Sequence, residues 1–408
     1  MKGNVLVGQS GGPTAVINAS LAGVYKTARD LGAGTVYGMR YGIEGFIRGK
    51  YIDMSQYIKS DLDIELLKRT PSSFLGSCRY KLPDYKEHSE DYEIIFRRLS
   101  ELDIQNVLYI GGNDSMDTIK KLSSYARYIN SDIRFVGVPK TIDNDLAITD
   151  HTPGYGSAAK YIASSVKEII RDSTVYDIDS VTVVEIMGRN AGWLTAAAAL
   201  AEGEDCAGPD MIYLPEKSFD TERFLKRVEA MKTQRHNLVI AVSEGIKTAD
   251  GQYICDGLAG TKGTDSFGHT MLGGTALTLS DIIGRELGIK SRGIVLSTLQ
   301  RCASHIVSRR DITEAYTAGA DAVARAFSGM SGIMVTFTRI SDFPYQIKTD
   351  IADINKIANV EKLVPQDWIL PDDTLKKSEV VRYISPLIIG ELSPIMIEGV
   401  PHHLHIDR

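Results

Sequence analysis

The chain reads as an α/β protein built on mostly parallel sheets, and three features carry that reading. Short apolar runs alternate with amphipathic helical periods from Val5 to Phe337. Residues 181–187, Val-Thr-Val-Val-Glu-Ile-Met, are apolar enough on both faces to form a central parallel strand covered by helices on both sides. Glycine-rich turns stand where a strand hands over to a helix, at Gln9-Ser-Gly-Gly-Pro-Thr14 and at Gly111-Gly-Asn-Asp-Ser115. With 408 residues, 43% apolar and 24% charged, there is material for two domains with substantial cores.

In order, Val5-Leu-Val7 is a first strand, and Ile17, Leu21, Val24 and Ala28 share one face of a helix that Gly32 can end. Residues 35–38 make the next strand, so the chain opens as a βαβ unit. Residues 48–69 are polar and mixed and read as connecting structure, followed by a glycine- and serine-rich loop, 71–79, ending in Arg79. Ser89 opens a helix with Tyr92, Ile95, Phe96, Leu99 and Leu102 inward. Strands follow at 106–110 and 135–138, and a helix at 156–171 turns Ala159, Ile162, Val166 and Ile169 to one side. After strand 181–187 come Gly188-Arg189-Asn190 and an alanine-rich helix over 191–201. A strand at 237–243 ends at Glu244, and the glycine-rich 256–274, with Asp265-Ser-Phe-Gly-His269, is expected to form an ordered loop beside the site. A helix carries Leu277, Ile282 and Leu287 to Gly288, Arg292 and Arg301 bracket another strand, and 332–337 is the last regular one. The remainder, with His402, His403 and His405, reads as less regular, the histidines as a solvated tail.

The net charge of −6 argues against nucleic acid or an anionic membrane as the main partner. Cys78, Cys206, Cys255 and Cys302 are scattered without a Cys-x-x-Cys pair, as in a reduced, intracellular protein. The first residues lack the apolar core of a secretory signal, and the longest apolar stretch, 193–201, falls short of the roughly 20 residues of a membrane span. A soluble, cytoplasmic protein is expected.

Chemistry concentrates in Val138-Pro-Lys-Thr-Ile-Asp-Asn-Asp145, just past a strand end, where open α/β sheets place their ligands. Pro139 keeps Val138 extended and stops a helix from starting. Lys140 can hold a phosphoryl group, and Asp143 is read as the base that takes a proton from the attacking hydroxyl. Both glycine turns present backbone N–H groups at helix N-termini, where anionic oxygens are stabilised. Neither is a P-loop or a dinucleotide fingerprint. Taken singly, these stretches also fit an Asx-rich turn, packing turns and, at Arg189, a cap or surface ion pair.

Together they resemble the phosphofructokinase family. Ser10-Gly-Gly, Phe74-Leu-Gly-Ser-Cys-Arg79, Gly111-Gly-Asn-Asp-Ser115, Lys140-Thr-Ile-Asp-Asn-Asp145, Met187-Gly-Arg189, Ser243-Glu-Gly245 and Gln300-Arg301 occur in that family's order and approximate spacing. Residues 358–368 look like its pyrophosphate-dependent branch. The resemblance implies two similar Rossmann-like domains with the site between them. We expect a donor domain over 1–154 completed by about 303–355, and a sugar-phosphate domain over 155–302 completed by 356–408. It implies homodimers or homotetramers in which a partner supplies a sugar-phosphate arginine, with Arg292 the candidate.

The implied reaction is reversible phosphoryl transfer from pyrophosphate to the 1-hydroxyl of fructose 6-phosphate, with Mg²⁺ bridging the phosphates, in glycolysis and gluconeogenesis. By position Asp143, Lys140, Asp114 and Arg189 are the catalytic candidates, and Gly11, Gly12, Arg79, Lys140, Asp114 and Ser115 the donor-phosphate contacts. Thr141, Ile142, Asp143, Met187, Gly188, Arg189, Glu244, Arg292, Thr298 and Arg301 are the sugar-phosphate contacts, and Asn113 and Asp145 the metal candidates. ATP-using members resemble Gly-Gly-Asp-Gly-Ser and Pro-Gly-Thr-Ile-Asp, so Asp114 and Lys140 replace glycines here. A carboxylate at Asp114 adds bulk and charge where the α-phosphate of ATP passes, while Lys140 balances charge on a pyrophosphate leaving group. Asn113, Ser180 and Thr298 depart from the family pattern of aspartate, arginine, and histidine or tyrosine. They keep open an ATP-dependent enzyme, a silent sugar-phosphate-binding subunit, and a longer ketose such as sedoheptulose 7-phosphate.

Overall fold

The computed structural model describes residues 3–257, 272–371 and 373–406. The chain divides into two units, the first made of residues 1–157, 301–361 and 389–408, the second of 158–300 and 362–388. In order the elements of the first segment are β1 (Asn4–Gln9), α1 (Ile17–Asp30), β2 (Val36–Met39), α2 (Gly42–Ile47), β3 (Tyr51–Asp53), α3 (Asp61–Arg69), α4 (Glu90–Glu101), β4 (Ile104–Gly111), α5 (Asn113–Tyr128) and β5 (Arg134–Pro139). Then follow α6 (Tyr155–Ser173), β6 (Ser180–Ile186), α7 (Trp193–Ala196), β7 (Met211–Tyr213), α8 (Thr221–Lys232), β8 (Asn237–Ser243), α9 (Thr275–Leu287), β9 (Lys290–Val295) and α10 (Leu299–Cys302). The chain ends with α11 (Arg309–Phe327), β10 (Ile333–Asp342), β11 (Tyr345–Asp353), α12 (Glu379–Ile384) and a short hairpin, β12 (Met396–Ile397) with β13 (Val400–Pro401).

The first unit is a seven-stranded sheet in the order β11-β10-β5-β4-β1-β2-β3. Its inner five strands run parallel, and the two edges, β11 and β3, are antiparallel. Parallel order puts the C-terminal ends of β1, β4 and β5 side by side, so the two glycine turns and the Lys140 loop emerge together. Both faces are covered: Val5, Val7, Leu108, Val136 and Val138 face α1 and α11, while Leu6, Val107, Tyr109 and Phe135 face α4 and α5. That is why the middles of these strands are apolar on both faces.

Helices α1 and α11 approach through glycine. A Cβ on Gly23 would stand 2.1 Å from the Tyr316 carbonyl oxygen, and one on Gly319 would stand 2.1 Å from that of Ser20. Any side chain at either position forces the backbones apart. Helix α11, which the sequence reading passed over, buries the small residues Ala315, Ala318, Gly319, Ala322 and Ala326.

The second unit carries a four-stranded, all-parallel sheet in the order β7-β8-β6-β9, as the apolar run at 181–187 led us to expect. Its core joins Val181, Val183, Ile240 and Val242 to Phe224 and Val228 of α8 and Leu279 and Ile283 of α9. Segment 362–388 adds an aromatic cluster, Trp368 and Tyr383, with ring centroids 6.2 and 5.1 Å from Trp193.

Three local expectations are corrected. Residues 48–69 are not mere connection: they hold β3 and α3, the latter started by a capping box in which Ser60 and Asp63 bond each other's backbone N–H. The alanine-rich stretch is a single α-turn, α7, continued by a 3-10 turn over Ala197–Ala201. The tail 389–408 belongs with the first unit rather than with the second: Leu404 and Ile406 pack on the first core, and the Leu404 N–H donates to Thr70 Oγ1 at 2.9 Å. Asp265-Ser-Phe-Gly-His269 lies outside the described residues. No helix among the described residues is long and apolar enough to cross a membrane.

Candidate functional site

In the first unit the predicted donor residues gather where β1, β4 and β5 end. The Ser10 N–H donates to Ile110 O at 3.0 Å and the Lys140 N–H to Gly111 O at 3.1 Å, extending the ladder into the loops. The hydroxyls of Ser10 and Ser115 bond each other, joining the two glycine turns directly. Lys140 is only 2% exposed, and its ammonium donates to the Gly12 carbonyl at 2.7 Å. Burial pulls its pKa down to about 8; Asp143 and Asp145 oppose that shift, and Arg301 and Arg79 add to it. Arg301 approaches the same turn, its guanidinium 3.8 Å from where a Gly12 Cβ would be. The structure therefore groups Arg301, expected among sugar contacts, with Lys140 and the glycine turn in the first unit.

Loop 141–145 shows how the turn reading and the chemical reading divide the stretch. Asn144, fully buried with φ 55°, makes the turn: its Oδ1 accepts the Thr152 N–H at 3.1 Å. Thr152 Oγ1 donates to Thr141 O at 2.8 Å, and the Thr141 N–H donates to Pro153 O at 3.2 Å. Thr141 Oγ1 donates to Asp143 Oδ2 and accepts the Asp143 N–H, both at 3.1 Å. Asp143 and Asp145 remain partly exposed, while Ile142 is buried.

The pairing of Gln9 with Asn18 escaped the sequence reading. Their buried amides bond at 2.8 Å; Gln9 accepts the Leu75 N–H and Asn18 the Phe74 N–H, each at 3.0 Å. The Asn18 amide also donates to Thr70 O at 2.8 Å. This pair fixes the loop that leads to Arg79, itself exposed. The signals were a polar residue ending the apolar strand β1 and another on the buried face of α1.

Asn113 is used differently from the metal role expected of it. Its Nδ2 donates to Val360 O at 2.9 Å and its Oδ1 accepts the Asn359 N–H at 2.7 Å, so both ends of the amide clasp residues 359–360. Asn359 in turn donates to Asp117 at 3.3 Å, pinning this segment to the start of α5. Asp114 stands in the first turn of α5, where the helix dipole favours a carboxylate.

In the second unit the predicted residues meet at the ends of β6 and β8. Gly188, with φ 149°, accepts the Gly245 N–H at 3.2 Å and the Ser243 hydroxyl on its carbonyl. The Gly188 N–H donates to Glu244 Oε1 at 3.3 Å, and the Met187 N–H to Gln300 Oε1 at 3.1 Å. Met187, Gly188 and Glu244 are thereby stitched together, and the Arg189 backbone packs against Gly245. A Cβ on Gly245 would lie 2.0 Å from the Arg189 carbonyl oxygen, so Gly245→Ala must displace Arg189. We expect that substitution to destabilise the protein by about 1–3 kcal/mol in denaturant unfolding; an unchanged midpoint contradicts the packing.

Glu185, missed because it reads as one polar residue in an apolar strand, is 2% exposed and caps α9 from inside the sheet. Its Oε2 accepts the Gly274 and Ala276 N–H groups, both at 3.0 Å. Thr298 is exposed just past β9. Arg292 is exposed on the edge strand opposite Thr182, four strand positions, or about 13 Å, short of the β6 end. The Gly188–Glu244 ladder and Arg292 are not brought together.

Comparison with known proteins matches residues 4–325 to the family model described as Phosphofructokinase. A protein of Methylococcus capsulatus named pyrophosphate–fructose 6-phosphate 1-phosphotransferase is 41% identical over 405 residues, covering 98% of this chain and 95% of that one. A protein of the same name from Xanthomonas campestris pv. campestris is 42% identical over 411 residues, covering 100% and 96%. The crystal structure of a pyrophosphate-dependent phosphofructokinase from Nitrosospira multiformis is similar with a TM-score of 0.88 at 38% identity, over 99% of this chain and 96% of that one.

Proposed function

Because the chain belongs to the phosphofructokinase family, we propose that it transfers a phosphoryl group reversibly between pyrophosphate and the 1-hydroxyl of fructose 6-phosphate. The observation that carries the choice of donor is the buried Lys140 ammonium, held at the β1 glycine turn and flanked by Arg79 and Arg301. A compact diphosphate places its charge on such a cluster without needing room for a nucleoside, and Asp114 puts a carboxylate at the adjoining helix start.

In this reading Gly11, Gly12, Ser115 and Arg79 receive the donor phosphates, and Lys140 balances the charge that develops on the leaving phosphate. Asp143, oriented by Thr141, takes the proton of the attacking hydroxyl. Met187, Gly188, Arg189 and Glu244 hold the sugar phosphate, and Arg292, exposed on an edge strand, serves the site of a second copy in a homo-oligomer. Arg301 belongs by position to the phosphate being transferred.

Mg²⁺ suits the donor chemistry of Asp145, a hard carboxylate beside the phosphate cradle. Among the described residues no group of three or more such ligands stands together, which fits an ion carried largely by substrate phosphates and water. When bound it supplies charge neutralisation on the transferred group. Action in the cytoplasm on glycolytic sugar phosphates follows from these substrates.

Parallel assays with pyrophosphate and with ATP at equal concentration test the proposal. Turnover with pyrophosphate in both directions, and little with ATP, is expected. Turnover with ATP alone rejects the donor assignment, and binding of fructose 6-phosphate without turnover on either donor rejects the enzyme.

A further inference from the structure

Just after the catalytic loop the chain carries a buried charge network that the reaction as derived does not use. His151 is 1% exposed, and both ring nitrogens meet carboxylates: Nδ1 lies 2.8 Å from Asp150 Oδ1 and Nε2 lies 2.8 Å from Glu314 Oε2. A neutral imidazole donates from one nitrogen only, so two carboxylate partners call for the imidazolium. The partners are themselves held as acceptors. Asp150 accepts from Arg339 at 2.9 and 3.2 Å, and its carboxyl stays below the usual range because His151 and Arg339 outweigh its burial. Glu314 accepts the Tyr345 hydroxyl at 2.9 Å.

The remaining groups facing this centre continue the alternation of charge. Arg339 also pairs with Asp342 at 3.0 Å, and the Arg310 guanidinium stands 4.2 Å from the centre of the Tyr345 ring. Asp311, fully buried on α11, is turned to the Gly154 and Ser157 N–H groups at 2.9 and 2.8 Å. The imidazole ring lies flat on Phe337, 5.2 Å away and 7° from parallel. Although burial works against it, Glu314 and Asp150 raise the His151 pKa to about 9.

This cation sits at the root of the loop that carries Asp143. Residues 149–151 are laced to β10: the Asp150 N–H donates to Phe337 O and the Phe337 N–H to Thr149 Oγ1, each at 2.9 Å. Residues 152 and 153 are laced to Thr141 and Asn144, as described above. β10 and α11 therefore act on the catalytic loop through residues 149–157, with His151 at the junction.

We propose that His151 is a positioning residue for phosphoryl transfer, a buried cation that clamps the 149–153 segment between β10 and α11 and so holds Thr141 and Asp143 in register with the donor cradle. The inference deepens the proposed phosphotransferase and rests on it. It assigns His151 no contact with substrate.

The test uses purified full-length His151→Gln and Glu314→Gln, with Asp143→Asn as the control for the reaction itself. For His151→Gln we expect kcat to fall about 10- to 100-fold while both KM values stay within about twofold, because misplacement of a reacting group costs rate rather than binding. Glu314→Gln removes one of two charges facing the ring, so the alkaline limb of the kcat profile should move down by about one pH unit or more. The kcat profile reports the substrate complex, and kcat/KM the free enzyme, where Lys140 titrates; the two limbs are thus separable. Nitrogen-15 spectra should show both ring nitrogens of His151 protonated at pH 7. The stability advantage of the parent over His151→Gln should shrink as pH rises from about 6.5 to about 9, since the native parent keeps a proton that the unfolded chain, titrating near 6.5, has lost, while Lys140 contributes alike to both proteins.

A neutral ring at pH 7, an alkaline limb unmoved in Glu314→Gln, or kcat and KM changing together in soluble His151→Gln overturns the proposal. If His151→Gln does not fold, the limb shift and the spectra decide it alone. Should Asp143→Asn also leave the rate untouched, the fault lies in the reaction assigned and not in His151.

Discussion

Replacing Asp143 by asparagine lowers kcat by about 10²- to 10⁴-fold, the usual share of a general base in an enzymatic rate. The substitution is nearly isosteric, and the geometry says the loop survives it. Asn144 bonds across the turn to Thr152, and the Thr141 hydroxyl can still bond an amide at position 143. What is lost is an acceptor for the sugar proton. KM for fructose 6-phosphate should change little, because the residues we assign to binding it are carried by β6 and β8. The same factor must appear in the reverse direction, where the protonated carboxyl returns the proton. Steady-state rates with pyrophosphate and with fructose 1,6-bisphosphate plus phosphate measure both. A kcat within tenfold of the parent in either direction removes Asp143 from the chemistry.

Lys140→Met lowers kcat with pyrophosphate by about 10²- to 10³-fold, as loss of one preorganised donor to a developing oxyanion does. Its stability effect runs the other way. The folded Lys140 titrates near 8 and the unfolded one near 10.5, so between these values the unfolded chain binds more protons and stability rises with pH. At pH 7 the buried ammonium is a net penalty, partly offset by the Gly12 hydrogen bond. Lys140→Met should therefore unfold at higher denaturant in the absence of ligand, by about 2 kcal/mol. A diphosphate removes the penalty by pairing the charge, so above pH 8 pyrophosphate binding should take up a proton. Calorimetry in two buffers of different ionisation enthalpy reads that uptake directly. A variant that is slower and also less stable, or binding with no proton uptake at pH 9, contradicts a buried cation waiting for its anion.

The elements of the proposed donor cradle were visible in the chain because they are local. Strand, glycine turn and helix start lie within 14 residues at 4–17 and within 12 at 104–115. Gly188 and Glu244 were legible for the same reason, as residues at the ends of apolar runs. Asn113 misled because residue type says what an amide can bond, not what is near it; its partners at 359 and 360 are 246 and 247 positions away. Arg301 lies at a chain crossing that no spacing reveals. Gln9, Asn18 and Glu185 are polar groups inside apolar elements, and only their distant partners give them meaning.

By itself, then, the sequence determined the α/β class, the strands whose ends carry chemistry, and the pairing of Lys140 with Asp143 in one short loop. Periodicity and turn chemistry are near-neighbour properties, written in consecutive residues. Tertiary structure alone decided that Lys140 is buried on the Gly12 carbonyl, that Asn113 clasps a distant segment, that Arg301 joins the donor turn, and that His151 stands between two carboxylates. Each of these depends on contacts between residues far apart in the chain. Their energies turn on burial and distance, which no run of neighbouring residues encodes.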